Sequence, residues 1–247
     1  DTLDISPTLA IDDDEVKICW INNNKNNVFG AEGDNKIISV SSKKNNIWSD
    51  EVAITSVEGN VVSVDSEIIN NELNIAYAID TDNNINTSDD IEIYISTEGN
   101  SKRITNNKVA DFSPMFYNSN LLWYSNNELK SYDFATEKIT SVLGDEVYDI
   151  SQDYRIISDG KKTAVLWLDS VSEEKDSIKA SIKQEDGWSK SIKIYESEKL
   201  IECFDGTIDN AGNWSLIMNL NNSEENEVGE VINEFNTLVN YNAAPKT

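Results

Sequence analysis

Apolar and polar residues alternate with a period of two along most of the chain, in short runs at 16–21, 73–79, 91–96, 164–168, 178–183 and 216–220. Successive strand side chains point to opposite faces, so this period belongs to β-strands; an amphipathic helix needs apolar residues at i, i+3, i+4 and i+7. No segment sustains that helical spacing. Between the runs lie clusters of Asn, Asp, Gly and Ser, which close hairpins because they tolerate left-handed backbone or hydrogen-bond to it. The pattern predicts an all-β chain.

The strands recur as a unit. Asp4-Ile5-Ser6-Pro7 is followed by Ile18-Cys19-Trp20-Ile21-Asn22, Asp111-Phe112-Ser113-Pro114 by Leu121-Leu122-Trp123-Tyr124, and Asp149-Ile150-Ser151-Gln152 by Val165-Leu166-Trp167-Leu168-Asp169. Weaker copies are Val62-Ser63-Val64 with Ile75-Ala76-Tyr77-Ala78, and Cys203-Phe204-Asp205 with Leu216-Ile217-Met218-Asn219. Two more strands follow each pair, as at 37–40 with 52–55 and 178–183 with 192–195. Trp48-Ser49 and Trp188-Ser189 sit just before the last strand of two such hairpins. The units run over about 4–56, 57–109, 110–147, 148–200 and 201–242, near the roughly 40–50 residues of a four-stranded blade. A sheet of this kind cannot bury both faces alone. The expectation is therefore a β-propeller of four-stranded antiparallel blades, with Trp20, Tyr77, Trp123 and Trp167 filling the gaps between them. Five units make either a closed five-bladed ring or part of a six- to eight-bladed one. Residues 1–242 are expected to form one domain, and 243–247 a linker-like tail or a frayed terminus within a larger protein.

The Ser-Pro openings, the Gly or Asn turn and the aromatic-ended second strand resemble the β-propeller repeats of the TolB type. The phrase Glu185-Asp186-Gly187-Trp188-Ser189 resembles an eroded Asp-box hairpin of sialidase-like propellers. The likeness covers most of the chain, and neither family's full repeat signature is present. It implies the propeller fold.

Charge and composition narrow the functions. With 45 acidic and 20 basic side chains the net charge is −25, which repels nucleic acid and anionic membranes. No apolar run approaches the roughly 20 residues needed to cross a bilayer, so membrane insertion is not expected. Residues 1–4 show neither the basic start nor the apolar run of a signal peptide. The 32 Asn residues fit an AT-rich genome and carry no weight for binding. There is no His, which removes Ser-His-Asp and Cys-His nucleophilic systems and the usual zinc ligand sets. The two Arg, Arg103 and Arg155, cannot make the arginine triad that the sialidase resemblance implies. Carboxylates remain, and two at the right separation suffice for glycoside hydrolysis. Asp4, Asp111, Asp149 and Asp205 recur near the starts of first strands. Recurrence marks a structural residue, whereas a catalytic acid is singular.

The leading expectation is thus a non-catalytic, monomeric binding or spacer module, extracellular or on the cell surface, for a carbohydrate or protein ligand. The runner-up is a carboxylate-based glycosidase or an inactive remnant of one. Asp80, Asp82, Asn84 and Asn86 place oxygens at alternate positions, as calcium loops do, and Ser88, Asp89 and Asp90 follow. The same segment also reads as an ordinary polar hairpin tip. Asp12-Asp13-Asp14-Glu15 reads as a solvated turn. Cys19 and Cys203 are either a bridge locking a ring, through the large loop it closes, or two separate thiols. Tyr117, Tyr132, Tyr195 and Tyr241 are candidates for an exposed sugar-stacking platform, or else packing residues.

Overall fold

A computed structural model of the chain describes residues 3–12, 15–23, 35–56, 58–84, 86–142, 154–159, 161–172, 175–185, 187–209, 213–222 and 225–232. The chain divides into two compact units, Asp1–Thr140 and Ser141–Thr247. Every strand pairs antiparallel, and no helix occurs among the described residues.

The first unit holds three sheets. In the first, β1 (Leu3–Ile11), β2 (Glu15–Asn23), β3 (Asn35–Lys44) and β4 (Ile47–Trp48) lie in order, and β5 (Val52–Ser56) also pairs with β3. The second is β6 (Asn60–Ile69), β7 (Glu72–Asp80), β8 (Ile91–Thr97) and β9 (Asn100–Arg103), and the third is β10 (Asp111–Tyr117), β11 (Asn120–Ser125), β12 (Glu128–Asp133) and β13 (Lys138–Ser141). The second unit holds two. One is β14 (Tyr154–Ser158), β15 (Thr163–Ser172), β16 (Lys175–Gln184) and β17 (Gly187–Trp188), with β18 (Ile192–Ser197) also on β16; the other is β19 (Leu200–Ile208), β20 (Trp214–Asn222) and β21 (Glu225–Ile232).

Five hairpins close with two residues, both at positive φ: Asn45-Asn46, Asn70-Asn71, Glu98-Gly99, Asn118-Ser119 and Asn126-Asn127. This is the type I′ turn, whose twist matches that of the flanking strands, and Asn is the side chain that best tolerates it. Part of the Asn excess is therefore turn chemistry. The Ser-Pro phrases lie inside strands: the ladders shift register between Ile5 and Thr8 in β1 and between Phe112 and Met115 in β10. Ser6 and Ser113 take φ of 52° and 50° there. Proline donates no ladder hydrogen bond, so a bulge is where a strand accepts it.

Sheets of the first unit pack face to face. Cys19, Ile21, Ile38 and Val40 meet Val61, Ile75, Tyr77 and Ile79 across one interface. Ala76, Ala78, Ile91, Ile93 and Ile95 meet Leu121, Trp123 and Tyr132 across the other. The middle sheet is thus covered on both faces, and β7 is buried without a break from Asn74 to Asp80. Asp65 on β6 fastens the first strands of all three sheets, accepting from Thr8 Oγ1 at 2.8 Å and from the Phe116 N–H at 2.7 Å. Burial pushes its carboxyl upward, although these hydrogen bonds oppose the shift. In the second unit Leu166, Ile178 and Ala180 pack with Ile201, Phe204, Trp214, Leu216 and Met218. Tyr77, Trp123 and Trp167 are fully buried, and Trp20 is half-buried.

Both Trp-Ser hairpins are locked alike. Ser49 Oγ accepts from the Ser42 N–H, and the Ser41 hydroxyl donates to the Ser49 carbonyl. Ser189 accepts from the Ile182 N–H, and Ser181 donates to its carbonyl. In each, a lysine lies over the indole, Lys43 at 5.8 Å from Trp48 and Lys183 at 5.7 Å from Trp188.

Candidate metal centre

A cluster of acids of the first unit lies where β7 ends and β8 begins. Asp80 is the last residue of β7, pairs with Ile91 of β8, and is 3% exposed. The connecting loop turns back so that carboxylate oxygens of Asp80, Asp82 and Asp90 all lie within 4.8 Å of one another. Among the described residues this is the one such group of three His, Cys, Asp or Glu side chains.

Hydrogen bonds fix the loop and leave oxygens over. Asp90 Oδ2 accepts from the Thr81 and Asp82 N–H groups at 3.1 and 2.7 Å and from the Thr81 hydroxyl at 2.9 Å. The remaining oxygen, Asp90 Oδ1, is buried without a partner, as are Asp80 Oδ1 and Asn83 Oδ1. Asn83 stands in the left-handed region at φ 59° and donates its N–H to the Asp80 carboxylate. Burial, then the charges of Asp90 and Asp82, push the Asp80 carboxyl above the ordinary carboxylate range. Buried acceptors normally find donors. Unpartnered oxygens on two of three gathered acids make this a candidate cation site.

The loop chemistry differs from alternate spacing in its second half. Asn84 Oδ1 accepts from the N–H and the Nδ2 of Asn86 at 3.3 and 3.2 Å, so these two amides face each other. The Asn84 N–H in turn holds Asp82 Oδ1 at 2.7 Å. Of the expected Asp80, Asp82, Asn84 and Asn86, the two acids gather with Asp90, while Asn84 and Asn86 bond to each other. The signal for Asp90 was present in the sequence as an acid at the far foot of the loop, but its approach depends on the Thr81–Asp90 closure, which spacing does not reveal.

The other candidates resolve as follows. Of the two alternatives for the cysteines, the structure has separate thiols: Cys19 is buried in the apolar cluster of the first unit, and Cys203 is exposed. Burial pushes the Cys19 thiol up to about 11. Tyr117 and Tyr132 are not an exposed platform. The Tyr117 hydroxyl pairs with Ser131 Oγ at 2.6 Å, and Tyr132 packs edge-on against Phe134, because the rings serve the interior of the third sheet. Tyr195 is half-buried against the core of the second unit, and Tyr241 lies outside the described residues. Asp12 and Glu15 close a turn through their backbones, and Asp13 and Asp14 lie outside the described residues.

Among the recurring acids, Asp111 is fully buried and accepts from Trp123 Nε1 at 3.0 Å and Asn107 Nδ2 at 2.8 Å. Asp4 is exposed and accepts from Asn22. Asp205 is exposed and accepts from the Gly206 N–H, and Asp149 lies outside the described residues.

No family model matches the sequence, and no curated protein matches it. Solved structures do. An α-L-arabinofuranosidase from Lactobacillus brevis aligns over 91% of this chain and 88% of its own, at 10% identity and a TM-score of 0.50. A Trypanosoma rangeli sialidase in complex with sialic acid aligns over 93% of this chain at 11% identity and a TM-score of 0.55. This chain spans 44% of that sialidase's length. The likeness shows the fold, an all-β propeller of antiparallel blades.

Proposed function

We propose that the chain is a non-catalytic binding or spacer module of the propeller fold, extracellular or on the cell surface within a larger protein, holding a calcium ion at the β7–β8 hairpin and presenting itself to a carbohydrate or protein ligand. The observation that carries the calcium reading is the Asp80 carboxylate, 3% exposed, with one oxygen unpartnered and two further carboxylates within 4.8 Å. Such like charges cost stability unless a cation neutralises them. The donors are all oxygens, carboxylates with a neighbouring amide, which suits a hard cation. An irregular loop adapts to calcium's flexible coordination more readily than to the near-octahedral demand of magnesium.

One observation favours binding over hydrolysis. The buried acid that recurs at the start of a first strand, Asp111, already holds Trp123 and Asn107. The arabinofuranosidase and sialidase likeness supports carbohydrate as the ligand class.

The test has two arms. Calorimetric titration of the chelated protein with calcium chloride is expected to show one site, and heat indistinguishable from dilution overturns the calcium reading. Screening on glycan and protein arrays, with aryl glycosides assayed alongside, is expected to find a ligand without turnover. Hydrolysis lost on replacing a single carboxylate would replace the binding module with an enzyme.

A further inference from the structure

Behind the acidic cluster stands a residue with no side chain. Gly59 immediately precedes β6, whose first residue Asn60 pairs with Asp80. Gly59 is buried at φ +131°, and a Cβ placed on it collides with Ile79 Cγ2 and falls 2.5 Å from the Asp80 carbonyl oxygen. The second contact is with backbone, which cannot rotate aside. Any larger residue must push on the end of β7, the strand whose last residue delivers the Asp80 carboxylate.

Gly187 supplies the contrast. Its φ is +139°, yet nothing lies within 4 Å of a Cβ placed on it. Left-handed backbone alone explains a glycine at that hairpin. At Gly59 close approach adds a second demand, and what approaches is the main chain of the site.

We infer that Gly59 is a positioning residue of the cation site: it lets the chain entering β6 lie against the Asp80 carbonyl, and so fixes where the Asp80 carboxylate meets Asp82 and Asp90. The inference rests on the calcium reading above. Metal–ligand distances tolerate only about 0.2 Å. Relieving a 2.5 Å contact to ordinary van der Waals separation needs several times that displacement, at the residue that is itself a ligand.

Calcium dissociation constants are to be measured by chelator competition for the unaltered chain, Gly59→Ala and Gly187→Ala. Both variants are expected to melt lower in chelator, because both strain a left-handed residue. Gly59→Ala is expected to bind calcium about 10- to 100-fold more weakly, the effect usual for groups that support metal ligands, with the Gly187→Ala affinity unchanged. A folded Gly59→Ala that binds as tightly as the unaltered chain overturns the inference and leaves the calcium site standing. An unaltered chain that binds no calcium removes both. If Gly59→Ala does not fold, the Gly59 amide resonance of the unaltered chain is followed through the titration. A shift that saturates with calcium supports the inference, and a stationary resonance overturns it.

Discussion

Replacing Asp80 by Asn is expected to move stability in opposite directions with and without calcium. The substitution keeps the shape and removes one of three mutually repelling charges. At 4.8 Å a pair of like charges costs about 1 kcal/mol in water and about 3 kcal/mol at an effective dielectric of 20. Asp80 is buried while Asp82 is exposed and Asp90 half-buried, so a relief of roughly 1–3 kcal/mol is expected for the variant in chelator. At about 2–4 °C per kcal/mol for a chain of this size, that raises the melting temperature by several degrees. Calcium reverses the order. At about 1,000 times its dissociation constant the ion adds about 4.1 kcal/mol to the unaltered protein, roughly 8–16 °C, and little to the variant. Differential scanning calorimetry of both proteins in excess chelator and in 10 mM calcium chloride reads all four states. If Asp80→Asn melts lower than the unaltered protein in chelator, or gains as much from calcium, the account of the cluster as an uncompensated cation cage is wrong.

Proton and cation should compete for the same carboxylate. The folded-state pKa of Asp80 is raised, so its contribution to stability is present below the ordinary carboxylate range and is lost as pH rises through the raised value. Asp65 and Glu67 are shifted the same way, chiefly by burial. The melting temperature in chelator should therefore rise as pH is lowered from 7 towards 5, with a shallower slope in Asp80→Asn; a flat or falling profile in the unaltered chain counts against the shifts. Asp111→Ala should destabilise by about 3 kcal/mol, because it strips a buried partner from Trp123 and Asn107, whereas Asp4→Ala at its exposed counterpart should cost under about 1 kcal/mol. Equal losses in urea unfolding would contradict the difference in burial. Iodoacetamide should label Cys203 in the native protein and Cys19 only after denaturation, and a linked Cys19–Cys203 peptide in a non-reducing digest would refute the two free thiols.

Much of the architecture could be read from residue order because each strand is closed by local chemistry. The alternation at 16–21 and 178–183 placed β2 and β16, and the Asn pairs marked where hairpins turn. The run at 73–79 was legible as a strand, but its burial on both faces depends on which sheets flank it. Asp80 and Asp82 stood out as acids flanking one step of a loop, whereas Asp90 and Asn83 enter only through backbone geometry at Thr81 and Asn83. The tyrosines stayed ambiguous because an aromatic near a strand end has the same pattern whether it faces water or, like Tyr132, a neighbouring phenylalanine. Gly59 was invisible, since the demand on it comes from a carbonyl twenty-one residues away.

The paired left-handed asparagines have a kinetic corollary. A two-residue reversal leaves no slack for the strands to slip by one position, a slip that would turn every inward side chain outward. Hairpins of this kind close on the order of microseconds. Each can therefore settle its own alignment before distant parts of the chain arrive, which turns assembly into the joining of ready-made pieces.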